Sequence, residues 1–137
     1  MTYELFTQIL TIIGEYERAI HDARDKLEVL FYHETVVKGV RYTHTPLSHN
    51  PSLSALKRLD SIEEIDELER EINEMEQQLE NQRSKVDAVM KRMPKSLQDM
   101  LLDKYINRMT YIEIGEKYGY SNAGIWHAIR RETEKYL

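Results

Sequence analysis

Apolar residues recur in steps of three and four along most of this chain, and that recurrence marks out its helices. Ile9, Ile13, Tyr16, Ile20, Ala23, Leu27 and Leu30 fall on one helical stripe, because such spacing returns to the same face of a 3.6-residue turn. It predicts a first helix reaching about Val37, with Gly14 its weak spot. A second stripe, Ile65, Leu68, Ile72, Met75, Leu79, Gln82, Val86, Val89 and Met93, holds over four heptads. Only Gln82 is polar in that seam, and the positions between are largely charged, as in LEREINEMEQQLE. The pattern predicts a coiled-coil helix from Leu53 to Met93. Between the stripes, KGVRYTHTPLSHNPS (38–52) holds two of the three prolines, with Gly39, Asn50 and several hydroxyls, and reads as a loop. Two helices of similar length joined by a loop can pack as an antiparallel hairpin. The apolar surface that two helices leave uncovered also predicts pairing between copies, a homo-oligomer.

Pro94 ends the second helix, since proline disfavours helical geometry in the residue before it. SLQDMLLDKYINRM then reads as a short helix with Leu97, Leu101, Leu102, Tyr105 and Ile106 on its apolar face. Thr110, with Glu113 three residues on, is a capping box that opens a further helix ending near Tyr118. Gly119 stands where a tight turn needs positive φ. Ser121 caps a last helix. Gly115 lets the two helices approach closely, Tyr120 can tuck back into the core, and Ile114, Tyr118, Ile125, Ala128 and Ile129 point inward. This is the layout of a helix-turn-helix, whose second helix enters the DNA major groove. Its outward face holds Ser121, Asn122, Ala123, Trp126, His127, Arg130 and Arg131, the candidate DNA-binding residues. Asparagine pairs with adenine edges and arginine with guanine or phosphate; Arg130 and Arg131 lie far enough along the helix for phosphate to be the expected contact.

The expected fold class is therefore all-α, a long antiparallel helical hairpin followed by a small three-helix domain. Residues 1–93 form the hairpin and oligomerisation domain, and residues 94–137 the helix-turn-helix domain. Charge sharpens the picture. The chain of 137 residues has net charge −5, but residues 104–137 carry six bases against four acids, while residues 60–103 carry 13 acids against six bases. The acidic total hides a mildly basic C-terminus that suits double-stranded DNA.

Other chemistries find no support. There is no cysteine, which fits a cytosolic protein. No apolar run approaches membrane-span length, and MTYELFTQIL has neither the basic region nor the cleavage site of a signal peptide. His44 and His49, in the loop with Lys38, Arg41 and Tyr42, have no further ligands nearby for zinc. The loop's bases could touch phosphate, though a solvated connector is the simpler reading. The carboxylates of residues 60–80 sit at outer heptad positions, a solvated face rather than a catalytic pair. No phosphate-cradling glycine loop or nucleophile–base pair is readable. No enzyme, cofactor or metal is expected.

The segment LLDKYINRMTYIEIGEKYGYSNAGIWHAIRRETEKYL, and MTYIEIGEKYGYS within it, resembles the DNA-binding helices of sigma-factor region 4. With a helical N-terminal region before it, the layout is similar to the ArpU/RinA-like regulators of phages and prophages in Gram-positive bacteria. The resemblance implies control of late-gene transcription by promoter binding, in the bacterial host cytoplasm. Nothing resembles the other core sigma regions. Asn122, Ala123 and Gly124 stand where sigma modules usually carry several polar or basic residues. Two further readings remain open: an interaction module whose acidic segment 60–103 docks on host RNA polymerase or another protein, and a packaging factor of the terminase small-subunit type.

Overall fold

The computed structural model describes residues 1–32 and 51–137, and the backbone alone for 51–61 and Asn122. Five helices make up the described chain: α1 (Tyr3–Tyr32), α2 (Pro51–Arg92), α3 (Lys95–Tyr105), α4 (Tyr111–Tyr118) and α5 (Asn122–Glu134). The all-α class expected from the periodicity is the class observed. Most of the expected loop, 38–50 with Lys38, Arg41, Tyr42, His44 and His49, lies outside the described residues, as does 33–37, where the first helix was expected to end. Pro51 and Ser52, expected in the loop, already belong to α2. Proline suits a first helical turn, where its missing N–H would have no partner.

Two compact units divide the chain: Met1–Arg18 with Gln77–Leu137, and Ala19–Glu76. The start of α1 groups with the end of α2 in one unit, and the rest of α1 with the start of α2 in the other. The boundary expected near residue 93 follows from the end of the heptad stripe and the break at Pro94. The contacts instead group the three short helices with the first 18 residues and the last turns of α2.

In the smaller unit, Ile20, Ile65, Leu68 and Ile72 are buried, and Arg24 is ion-paired with Glu76. These are the apolar seam positions, with charge at the margin. In the larger unit the seam continues through buried Ile9, Ile13, Leu79, Val86, Val89 and Met93. Arg83 and Glu17 pair beside it. Met75 of the smaller unit and the polar Gln82 of the larger are half-buried at their stripe positions.

Pro94, at φ −58° and ψ 148°, breaks the chain between α2 and α3. Its carbonyl accepts from the Leu97 and Gln98 amides at 3.1 Å, and the Gln98 side chain donates to the Met93 carbonyl at 2.9 Å. Leu97, Met100 and Leu101 of α3 are buried with Ile114 of α4 and Ile125 and Ile129 of α5. Phe6 and Leu10 of α1 are buried in the same unit. Each such side chain contributes about 1.5–3 kcal/mol on leaving water.

Gly14 is a contact point rather than a weakness. A Cβ there would stand 2.7 Å from the Tyr105 carbonyl oxygen and 3.2 Å from the Ile106 Cα. The backbone of α1 therefore touches the C-terminal end of α3 directly. Arg18, one turn on, donates from Nη1 to the Ile106 carbonyl at 2.9 Å, satisfying a carbonyl that the helix end leaves open. Thr133 of α5 has no exposed surface, and its hydroxyl finds no hydrogen-bond partner among the described residues.

Two substitutions should shift stability in opposite directions. Gly14→Ala overpacks a backbone contact and should cost about 1–3 kcal/mol. Thr133→Val keeps the shape and removes the unpaired hydroxyl, and should stabilise by about 0.5–1 kcal/mol. Urea denaturation reads both as shifts of the midpoint at unchanged slope.

Candidate nucleic-acid interface

The last two helices meet at a three-residue corner, and each part of it has a local cause. Thr110 Oγ1 accepts from the Glu113 amide at 3.2 Å, while the Glu113 carboxylate reaches back to the Thr110 amide, so the expected capping box is formed. At the other end of α4, Gly119 adopts φ +80° and ψ 30°, a left-handed conformation costing an L-residue about 1–2 kcal/mol. The amides of Gly119 and Tyr120 both donate to the carbonyl of buried Gly115. Ser121 then caps α5, its Oγ accepting from the Gly124 amide at 3.1 Å. The caps satisfy backbone groups that helix ends otherwise expose.

Tyr120 departs from expectation. It is 47% exposed, not folded into the core. Leu101, Ile114, Ile125 and Ile129 already fill the centre. The Tyr120 ring instead lines the rim of an open groove with Pro94, Leu97, Met100 and Ile129. The other expected inward positions hold: Ile114, Ile125 and Ile129 are buried, and Tyr118 and Ala128 half-buried.

A buried carboxylate that the sequence reading missed locks α4 onto α3. Asp103 is 6% exposed. Its Oδ2 accepts from Lys117 Nζ and from the Tyr118 hydroxyl, each at 2.8 Å, and its Oδ1 from Asn107 Nδ2 at 3.0 Å. Burial pushes the Asp103 pKa up, but the bonds from Lys117, Tyr118 and Asn107 outweigh it and leave it below the usual aspartate value. The Asp103 bond raises the Lys117 pKa in turn. The linking turn places Arg108 at φ +56°, and the Met109 amide donates to the Asp103 carbonyl at 2.9 Å.

Of the seven residues expected on the outer face of α5, Ser121, Ala123, Trp126, His127 and Arg131 are exposed. The Asn122 side chain is outside the description. Arg130 is half-buried and engaged. Its Nη2 donates to Glu4 Oε1 at 2.9 Å and its Nε to Glu134 Oε1 at 3.0 Å. The guanidinium lies 5.1 Å from the Tyr3 ring centroid and 6.0 Å from that of Trp126. Glu134, then Glu4, raise its pKa and keep it charged. Trp126 also meets His127 edge to face, with ring centroids 4.6 Å apart. Arg131 is the more available cation: its side chain is 73% exposed, and its ion pair with Glu132 is loose at 3.8 Å.

The phenols of Tyr3 and Tyr105 share a hydrogen bond of 3.2 Å near these contacts. Burial raises the pKa of Tyr105 and of Tyr111, so both stay neutral at any ordinary pH. Lys104 sits over the Tyr111 ring at 4.1 Å. Among the described residues, no helix is long and apolar enough to cross a membrane. In comparisons with known proteins, no family model, no curated protein and no solved structure matches the chain.

Asp103→Asn should destabilise the three short helices by about 1–3 kcal/mol, because it weakens charge-assisted bonds at a buried acceptor. The sign with pH follows from linkage. The folded pKa of Asp103 is lowered, so its contribution is complete above the ordinary aspartate value near 4 and fades as pH falls through the lowered value. Thermal melts between neutral pH and pH 3 should therefore bring the parent protein down toward the variant.

Proposed function

We propose that this chain is a DNA-binding transcription regulator that uses the α4–Gly119–α5 corner as a helix-turn-helix and α5 as the helix entering the major groove. The observation that carries the proposal is the corner itself. Two capped helices are joined through a left-handed glycine, with Ile125, Ile129 and Thr133 turned inward and Ala123, Trp126, His127 and Arg131 outward. A helix held by one face and open along the other can be laid in a groove. The positive balance of residues 104–137 supports a polyanionic partner. The similarity of MTYIEIGEKYGYS to sigma-factor region 4 supports promoter DNA as the target, with phage or prophage late genes the setting that the ArpU/RinA-like layout suggests. Apolar side chains left exposed along α1, Leu5 and Val29, support a homo-oligomer carrying two or more reading heads. Linked heads raise affinity through effective concentration.

A second reading, docking on a protein such as RNA polymerase, draws on one observation. Arg130 is occupied by Glu4 and Glu134, so the face offers fewer available cations than its sequence suggests.

Fluorescence anisotropy with labelled duplex from upstream of the protein's own gene separates the two. The full chain should bind at low salt, and the logarithm of its affinity should fall linearly with the logarithm of salt concentration. Arg131→Ala should weaken binding similarly on every sequence and reduce that slope by about one. Absence of binding at low salt would overturn the proposal.

A further inference from the structure

Among the described side chains on the outer face of α5, the Ser121 hydroxyl is engaged as the helix cap and His127 sets its ring against Trp126. Ala123 opens the exposed face on the first turn, and Trp126 follows one turn on, 38% exposed. Arg130, next along the same stripe, is committed sideways to Glu4 and Glu134 and lies under the Trp126 ring. Bidentate pairing of Arg130 with guanine would require both carboxylates to be released. Arg131 lies farther along, with its side chain in solvent, placed for the phosphate backbone. Beyond the Ser121 cap, the described side chains on the first two turns present a methyl group and an indole, with the His127 ring beside the indole. The indole has the Arg130 guanidinium 6.0 Å from its ring centroid and the His127 ring edge to face at 4.6 Å.

An apolar tip has one complementary feature on the floor of the major groove, the C5-methyl group of thymine. The minor groove offers none. We infer that Ala123 and Trp126 form an apolar reading tip that recognises thymine C5-methyl groups in the major groove. The inference rests on the DNA-binding reading above and goes beyond it, since it names what the helix reads and with which atoms. A target so read is rich in A·T pairs and is selected by methyl position rather than by a guanine contact. Arg131 supplies attraction to phosphate that does not depend on sequence.

The test compares a duplex of alternating A·T pairs with the same duplex carrying deoxyuridine for thymidine, which removes the methyl groups and keeps every hydrogen-bonding edge. Affinity of the full chain is measured for both by anisotropy at low salt. The parent protein should bind the thymine duplex about three- to five-fold more tightly for each methyl group contacted, the effect expected for one buried carbon group. Trp126→Ala should bind the two duplexes alike, and Trp126→Phe should keep part of the preference, with circular dichroism showing that both variants are folded. A G·C duplex should gain affinity when its cytosines carry a C5-methyl, which projects into the same groove. Equal binding of the thymine and uracil duplexes by the parent protein would overturn the inference while leaving DNA binding intact. So would a thymine preference undiminished in folded Trp126→Ala. Binding to neither duplex, nor to the upstream DNA, would overturn the DNA-binding reading itself.

Discussion

The left-handed backbone at Gly119 sets the direction in which α5 leaves α4, and the candidate face depends on that direction. With φ at +80°, the chain reverses in three residues. Two amides return to the Gly115 carbonyl, and Ser121 is left in extended geometry to cap the next helix. Ile125 and Ile129 then fall on the side of Leu101 and Ile114, and Ala123, Trp126 and Arg131 on the side of solvent. A residue with a Cβ at position 119 would resist this conformation, and the same α5 sequence on a different course would present another face. The Asp103 cluster completes the constraint from the other end. It bonds α4 to α3 through a carboxylate that burial alone would disfavour and that three donors stabilise.

The parts of this architecture that depend on neighbours in sequence were legible in it. The three-four spacing of Ile65 through Met93 marks the positions that burial confirms, because helix geometry alone decides which side chains share a face. The Thr110–Glu113 box and the turn at Gly119 are likewise four-residue phenomena, and both stand as read. The parts that depend on distant residues were not. Asp103 looks like any surface aspartate until Lys117 and Tyr118 close on it. Gly14 looks like a helix defect until the Tyr105 carbonyl is seen where its side chain would be. Arg130 looks like a phosphate contact until Glu4, far away in sequence, takes its guanidinium. Tyr120 looks like a core residue because it is large and follows a turn. Ile125 and Ile129 fill that place instead.

The occupied arginine changes how the face works. A stripe of basic side chains would attract DNA and read guanine. Here Arg130 joins the first turn of α1 to α5 beside the Trp126 ring, and Arg131 remains in solvent; in the proposal the Ala123–Trp126 pair forms the tip. Under the proposal one such face gives modest affinity, and pairing of copies would add a second face to the same duplex.

Because the chain has a single tryptophan, emission excited at the red edge, where tyrosine does not absorb, reports on the centre of the proposed face alone. Titrating the full-length protein with unlabelled duplex at low salt while following Trp126 fluorescence and its quenching by a neutral quencher is therefore the most direct measurement. The account predicts that DNA changes the emission saturably and shields the indole from quencher. DNA that binds while the emission and accessibility of Trp126 stay as in the free protein would place the contact on another surface and contradict the account.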